Sequence, residues 1–180
     1  MLKIFKINFF ILIFSSGVAM AKDIEVFGVK TLENVFEYVD SLSTAEPHSE
    51  TLGRKYDQIW ITPPKLNSVF AHHALVYDRD TKTVQGLSSF GEMFDFDYCL
   101  GQMDTWIPRL NTRFSTVLEK FEVRDGGIST EGASSDVYLM NTEQYIDIRC
   151  NRYSDGTNWL VLLWRTRSLN DAVSEYYNDF

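Results

Sequence analysis

The alternation of apolar and polar residues along this chain predicts most of its strands. Successive side chains of a strand point to opposite faces of a sheet, so a half-buried strand alternates with a period of two. Such runs, separated by Gly, Pro, Asn and Asp, predict strands at residues 23–27, 56–62, 69–77, 83–90, 136–141 and 145–152, and the continuous apolar run at 159–164 predicts a buried strand over 159–167. The segment 154–158, with Asp155-Gly156 at its core, predicts a hairpin turn between the last two strands.

Apolar residues at three- and four-residue spacing predict three helices. The first covers residues 32–42 and follows Thr31, a good N-cap. The second covers about 97–121, and Pro108 inside it predicts a kink or a break. The third begins at Ser168, which is its predicted cap. The polar residues 43–55 and the glycine-rich residues 124–135 are predicted to be loops.

This order of elements predicts an α+β fold in which helices pack on an antiparallel sheet. A helix followed by three strands occurs twice, which suggests a duplicated helix-plus-three-strands unit. Because no linker separates the two halves, residues 22–180 are interpreted as one exported domain.

The first 21 residues have the pattern of a secretory signal peptide. Lys3 and Lys6 precede an apolar run at 7–18, and Ala19-Met20-Ala21 provides an A-x-A cleavage site. The run is too short for a stable bilayer anchor, although a genuine N-terminal membrane helix is the alternative. Cleavage after Ala21, with no cysteine nearby to carry a lipid, predicts a soluble periplasmic or secreted protein.

The charge of the chain restricts its partners. Removing residues 1–21 takes two lysines from 17 basic residues and leaves 25 acidic ones, so the mature net charge is −10. Nucleic acids and anionic membranes bind basic protein surfaces, so the negative charge argues against both as partners. The charge permits a basic protein partner, because opposite fields speed association, or it serves only solubility.

Cys99 and Cys150 are the only cysteines, and an exported chain with two cysteines most simply forms one disulfide. The closed loop of about 50 residues would contribute roughly 3 to 4 kcal/mol in the chain-entropy model. The alternatives are a nucleophile, which needs His48, His72 or His73 as a base, and a metal ligand. Zinc sites usually have closer spacings such as C-x-x-C, which are absent from this sequence.

The segment Phe27-Gly28-Val29-Lys30-Thr31, with the helix and strands that follow it, resembles small exported modules of the BamE-like and β-lactamase-inhibitor-like kind. The resemblance covers about residues 24–90, with a weaker echo at 97–166. It implies a non-enzymatic binding scaffold. The family layout has two short helices before the strands, whereas this sequence predicts one.

Three motifs resemble catalytic or metal-binding sequences, but none of them predicts a catalytic, cofactor-binding or metal-binding residue. The segment 86–91 (Gly-Leu-Ser-Ser-Phe-Gly) is one residue too long for a nucleophile elbow. His72 and His73 are neighbours on a strand, so they point to opposite faces and cannot easily share a metal. The segment 78–80 (Asp-Arg-Asp) fits a turn better than a calcium loop.

An acidic and aromatic segment precedes the long helix. Its members are Phe94, Asp95, Phe96, Asp97 and Tyr98. The carboxylates would cap the helix and favour its dipole, and the segment is also the predicted partner-binding patch. A pair of carboxylates for glycoside hydrolysis is a further alternative. Residues 46–50 and 124–135 are two other candidate binding loops.

Together these features favour an exported, soluble, non-enzymatic protein-binding protein. Its most concrete form is a periplasmic inhibitor, such as an immunity protein against a secreted toxin. One alternative is an envelope-assembly or secretion accessory factor. The other is a hydrolase with an unrecognised site, which predicts a cleft where His72 or His73 meets a serine or a carboxylate.

Overall fold

A computed structural model describes residues 25–48, 55–114, 124–126, 129–139 and 144–178. The predicted signal peptide and residues 115–121 of the predicted long helix lie outside this part of the chain. The elements are β1 (Glu25–Val26), β2 (Val29–Lys30), a 3₁₀ helix (Val35–Glu37), β3 (Glu46–Pro47), β4 (Tyr56–Ile61), β5 (His72–Asp78), β6 (Val84–Met93), α1 (Phe96–Phe114), β7 (Arg124–Gly126), β8 (Ser129–Leu139), β9 (Gln144–Tyr153), β10 (Asn158–Thr166) and α2 (Arg167–Asn178).

Eight of the strands form one antiparallel sheet in the order β3-β4-β5-β6-β10-β9-β8-β7, while β1 and β2 pair separately. The predicted α+β class is therefore confirmed. The six inner strands of the sheet form two meanders, β4-β5-β6 and β8-β9-β10, whose last strands pair with each other at the centre, while β3 and β7 are the edge strands. Each half thus contains the three predicted strands, although the helices that precede them differ.

The predicted helix at 32–42 is wrong, because the segment forms only the single 3₁₀ turn. Its backbone is bonded to the β5–β6 turn instead. Leu32 N–H donates to Val84 O at 2.7 Å, and Val35 N–H donates to Lys82 O at 2.8 Å. Leu32 also has a φ of 64°, which a right-handed helix excludes. Tertiary hydrogen bonds thus override the helical spacing of the apolar residues.

The predicted loop at 124–135 is also wrong, because most of it belongs to β7 and β8. Its register runs through Gly132↔Asn151 and Ser134↔Arg149. These residues lack the apolar alternation of a strand, but β9 has an outer edge of backbone donors and acceptors that must be paired. The backbone ladder forms this strand without an amphipathic signal.

Helix α1 supplies one side of the core. It continues through Pro108 to Phe114, so the predicted break at the proline is absent. It packs against β9, β10 and β6. Its buried residues are Phe96, Cys99, Met103, Trp106, Ile107 and Leu110. In the part of the chain that the structure describes, neither helix has the length and hydropathy needed to cross a membrane.

A disulfide joins Cys99 of α1 to Cys150 of β9, as the sequence predicts, and both side chains are fully buried. It closes a loop with a sequence separation of 51 residues. The bond therefore fastens α1 to the face of the sheet on which the main core lies.

Replacing both cysteines by alanine should lower the free energy of unfolding by about 4 kcal/mol, since the unfolded chain loses its cross-link. Chemical denaturation of the oxidised wild type and of the double variant measures this difference. Reductant should weaken the wild type to a similar extent and leave the variant unchanged. If the double variant lost less than about 1 kcal/mol of unfolding free energy, the disulfide would not be stabilising.

Candidate functional site

The face of the sheet opposite α1 carries five rings on five neighbouring strands. We call this set the aromatic patch, and its members are Trp60 of β4, His72 of β5, Phe90 of β6, Trp159 of β10 and Tyr153 of β9. The strand registers explain why they lie together, because His72 pairs with Phe90 and Trp159 pairs with Glu92 on the same strand as Phe90. Residues two apart on a strand share a face.

The rings of the aromatic patch form two tilted pairs. Trp60 and Phe90 have centroids 5.8 Å apart at 49°, and His72 and Trp159 have centroids 6.0 Å apart at 55°. The five side chains line an open depression of about 370 Å³. Trp60 is 55% exposed, His72 is exposed, and the other three are partly buried. Tilted pairs leave ring faces available to a bound group.

Helix α2 covers the other end of the same face. Leu169 of α2 packs with Tyr56 and Val76 in a small separate core. The helix can approach closely because residue 86 is glycine, since a Cβ there would lie 3.1 Å from Leu169 Cδ2 and 2.7 Å from Trp164 O. Within the described residues, α2 is the helix that packs on this face, and it leaves the aromatic patch open.

The cap of α2 differs from the prediction. Thr166 Oγ1 accepts a hydrogen bond from Leu169 N–H at 3.3 Å, so Thr166 rather than Ser168 is the N-cap residue. Ser168 Oγ instead bonds to Tyr56 Oη at 3.0 Å. The first contact caps α2, and the second holds the start of the helix against β4 of the sheet.

An acidic and a basic side chain lie on the same face as the aromatic patch, and the basic one is already ion-paired. Glu92 is exposed and lies directly opposite Trp159 in the register. Arg149 of β9 lies on the same face, opposite Val161, but its guanidinium is ion-paired with the buried carboxylate of Asp147. A glutamate side chain therefore neighbours Trp159 of the patch, while Arg149 on the same face is already ion-paired.

The predicted partner-binding segment divides into exposed and buried residues. Phe94 is 92% exposed and Tyr98 is 54% exposed, whereas Phe96 is 2% exposed and packs under the guanidinium of Arg152. Asp95 caps α1, because its Oδ1 accepts from Tyr98 N–H at 2.6 Å. Asp97 is exposed in the first turn, where it favours the helix dipole.

This segment lies at the same end of the sheet as the aromatic patch. Phe94 directly follows β6, two residues beyond Glu92. The exposed aromatic residues of the patch and of the 94–98 segment therefore cluster around the C-terminal end of β6.

His72 and His73 point to opposite faces, as predicted, and His73 meets a serine. His73 Nδ1 lies 2.9 Å from Ser89 Oγ, and Nε2 lies 3.0 Å from Phe70 O. A carbonyl only accepts, so Nε2 carries the proton and Nδ1 accepts from the serine hydroxyl. This orients Ser89 and His73 as a hydrolase would need, but Ser89 is 0% and His73 3% exposed.

Burial lowers the pKa of His73 and favours its neutral form. A fully buried hydroxyl cannot reach a substrate in this conformation. The contacts therefore serve to hold β5, β6 and the Phe70 turn together.

Two other motifs have structural positions. Asp78 Oδ1 accepts from Asp80 N–H at 3.0 Å and from Thr81 N–H at 2.9 Å, which makes the 78–80 segment a side-chain-stabilised turn. Residues 86–91 lie inside β6, far from the strand-to-helix turn of a nucleophile elbow. The described residues contain no group of three or more His, Cys, Asp or Glu arranged to hold a metal.

Comparisons of the chain with protein-family models, with curated proteins and with solved structures found no match. The function is therefore inferred from the sequence and the geometry of the chain.

Sequence reasoning did not identify the aromatic patch. The alternation of β4 predicts the face on which Trp60 lies, whereas Trp159 begins a continuous apolar run whose pattern does not separate the two faces of β10. Their exposure, however, depends on how far α2 extends over the sheet, and no local pattern carries that information.

Replacing Ser89 by alanine should cost about 1 to 3 kcal/mol of unfolding free energy, because His73 Nδ1 loses its donor in a buried site. Chemical denaturation tests this. Ser88→Ala is the matched control: Ser88 is also buried, and its hydroxyl makes no hydrogen bond within the described residues. Equal effects of the two substitutions would refute a stabilising role for the His73–Ser89 contact.

Stability should fall as pH falls, because the pKa of His73 is lowered in the folded state. The unfolded chain takes up a proton near pH 6.5, so this stability is present above about pH 6.5 and is lost towards the lower folded pKa. Denaturation at several pH values from about 8 to about 5 should show the decline, and His73→Gln should reduce its slope, with the remainder due to His48, whose pKa burial also lowers. An unchanged slope in the variant would remove His73 as its source.

Proposed function

We propose that this chain is an exported, non-enzymatic protein-binding protein whose binding surface is the aromatic patch. The observation that carries the proposal is the depression formed by rings on five adjacent strands, which the described residues leave uncovered. Exposed clusters of large aromatic side chains are typical of interfaces and uncommon elsewhere on a protein surface. Tryptophan and tyrosine are also over-represented among the residues that contribute most binding energy.

A rigid sheet suits such a surface. The five side chains extend from paired strands, so binding would order few additional backbone groups. Phe94 and Tyr98, at the exit of β6, would extend the contact area beyond the depression. This role differs from the one predicted for the whole 94–98 segment, because Phe96 belongs to the core and Asp95 to the cap.

The proposed compartment is the periplasm or the exterior of a bacterial cell. The sequence of residues 1–21 supports export, and the buried disulfide supports an oxidising environment. The most concrete form of the function is an inhibitor or immunity protein that covers a site on a secreted toxin. Small size, acidity and a rigid aromatic surface support it.

Alanine at both Trp60 and Trp159 should abolish most partner binding. Truncating an interface anchor typically costs 2 kcal/mol or more, so a loss of at least about 30-fold in affinity is expected. The measurement is capture of envelope proteins on the immobilised mature chain, followed by a titration of each captured protein with the wild type and with the variant.

Phe36→Ala is the matched control, because Phe36 is 52% exposed on the 3₁₀ helix, which is bonded to the β5–β6 turn at the opposite end of those strands from the patch. It should retain the partner. A second variant, Phe94→Ala with Tyr98→Ala, measures the contribution of the neighbouring segment. A partner that both tryptophan substitutions leave bound with full affinity would overturn the proposal.

A further inference from the structure

We propose that the aromatic patch binds a cationic side chain, a lysine or an arginine, presented by a basic segment of the partner. This inference rests on the proposed function and names the chemistry of its partner. It is carried by the ring arrangement, by the position of Glu92 and by the charge of the chain.

The rings offer several faces to one group. The Trp60–Phe90 and His72–Trp159 pairs are tilted by 49° and 55°, and Tyr153 lines the same depression. A cation within about 6 Å of a ring centroid is attracted by the negative face of the ring, most strongly for tryptophan. Two partly exposed indoles beside one depression therefore favour a guanidinium or an ammonium group over an anion.

Glu92 supplies the matching charge. In an antiparallel pair, side chains directly opposite have Cβ atoms about 5 Å apart, so the Glu92 side chain starts next to that of Trp159 and its carboxylate is within reach of a cation bound at the indole. Arginine and lysine have apolar stems that pack along rings while the charged end reaches a carboxylate. A depression of about 370 Å³ accommodates one such long side chain.

The surrounding charge favours the same occupant. Arg149, on the same face, is held by the Asp147 carboxylate. The whole chain carries a net charge of −8, and loss of the two lysines of residues 1–21 makes it more negative. An acidic protein with an aromatic depression next to Glu92 is complementary to a basic segment.

The test uses four indole N–H signals of the mature, oxidised protein in ¹⁵N NMR. The probes are N-acetyl-arginine methylamide and its neutral analogue N-acetyl-citrulline methylamide. Arginine should shift the signals of Trp60 and Trp159 in a saturable manner. Those of Trp106 and Trp164 should stay in place, because both indoles are buried. Citrulline should shift none of them.

Glu92→Gln should weaken the arginine titration about three-fold, the size of a partly exposed ion pair. Glu37→Gln is the matched control, since Glu37 is exposed on the 3₁₀ helix, and it should leave the titration unchanged. Equal shifts with citrulline, or shifts with a neutral disaccharide such as chitobiose but not with arginine, would overturn the cation proposal.

The two proposals fail separately. If arginine leaves Trp60 and Trp159 unshifted while their replacement by alanine still abolishes partner capture, the patch binds a protein but not through a cation. If arginine binds as expected and the alanine substitutions leave every partner bound, the proposed function is wrong and the cation site stands.

Discussion

The pairing of β6 with β10 is the interaction on which the rest of the structure depends. Eight residue pairs, from Asn158↔Met93 to Arg165↔Gly86, join the last strands of the two meanders. Without this ladder each meander would present an open strand edge at the centre of the molecule. Its register also assigns residues to faces, because a slip of one residue would turn Trp159 towards α1 and Leu160 away from it.

The two helices cover different fractions of the two faces of the sheet. The disulfide and an apolar stripe fasten α1 across one face, where it buries Leu160, Leu162 and Trp164. Helix α2 starts at the end of β10, so it reaches only the end of the other face that carries Gly86 and Tyr56. The opposite end is left with aromatic side chains that the described helices do not cover. The open patch is thus a consequence of where the two helices begin.

Local sequence patterns predicted what depends on local periodicity. The alternation in β4 and β9 follows from side chains that point to two faces, and the disulfide followed from having two cysteines in an exported chain. The helix predicted at 32–42 fails because its donors bond to Val84 and Lys82, residues that are distant in sequence. The strand at 129–139 forms through backbone pairing with the outer edge of β9.

The candidate site was predictable only in part. Asp95 as a helix cap follows from its position before α1, and opposite faces for His72 and His73 follow from the pleat. The contact of His73 with Ser89 needs the β5–β6 register, and the patch needs the sheet order together with the position of α2. These are non-local properties, which the local patterns of a sequence do not specify.

Hydrogen exchange of the four indole N–H groups, free and with a bound protein partner, tests the central claim most directly. The account predicts that Trp60 and Trp159 exchange rapidly in the free protein and slowly in the complex. Trp164, whose Nε1–H donates to Gln144 at 2.7 Å, should exchange slowly in both. Rapid exchange of Trp60 and Trp159 in a saturated complex would contradict the assignment of the patch as the binding surface.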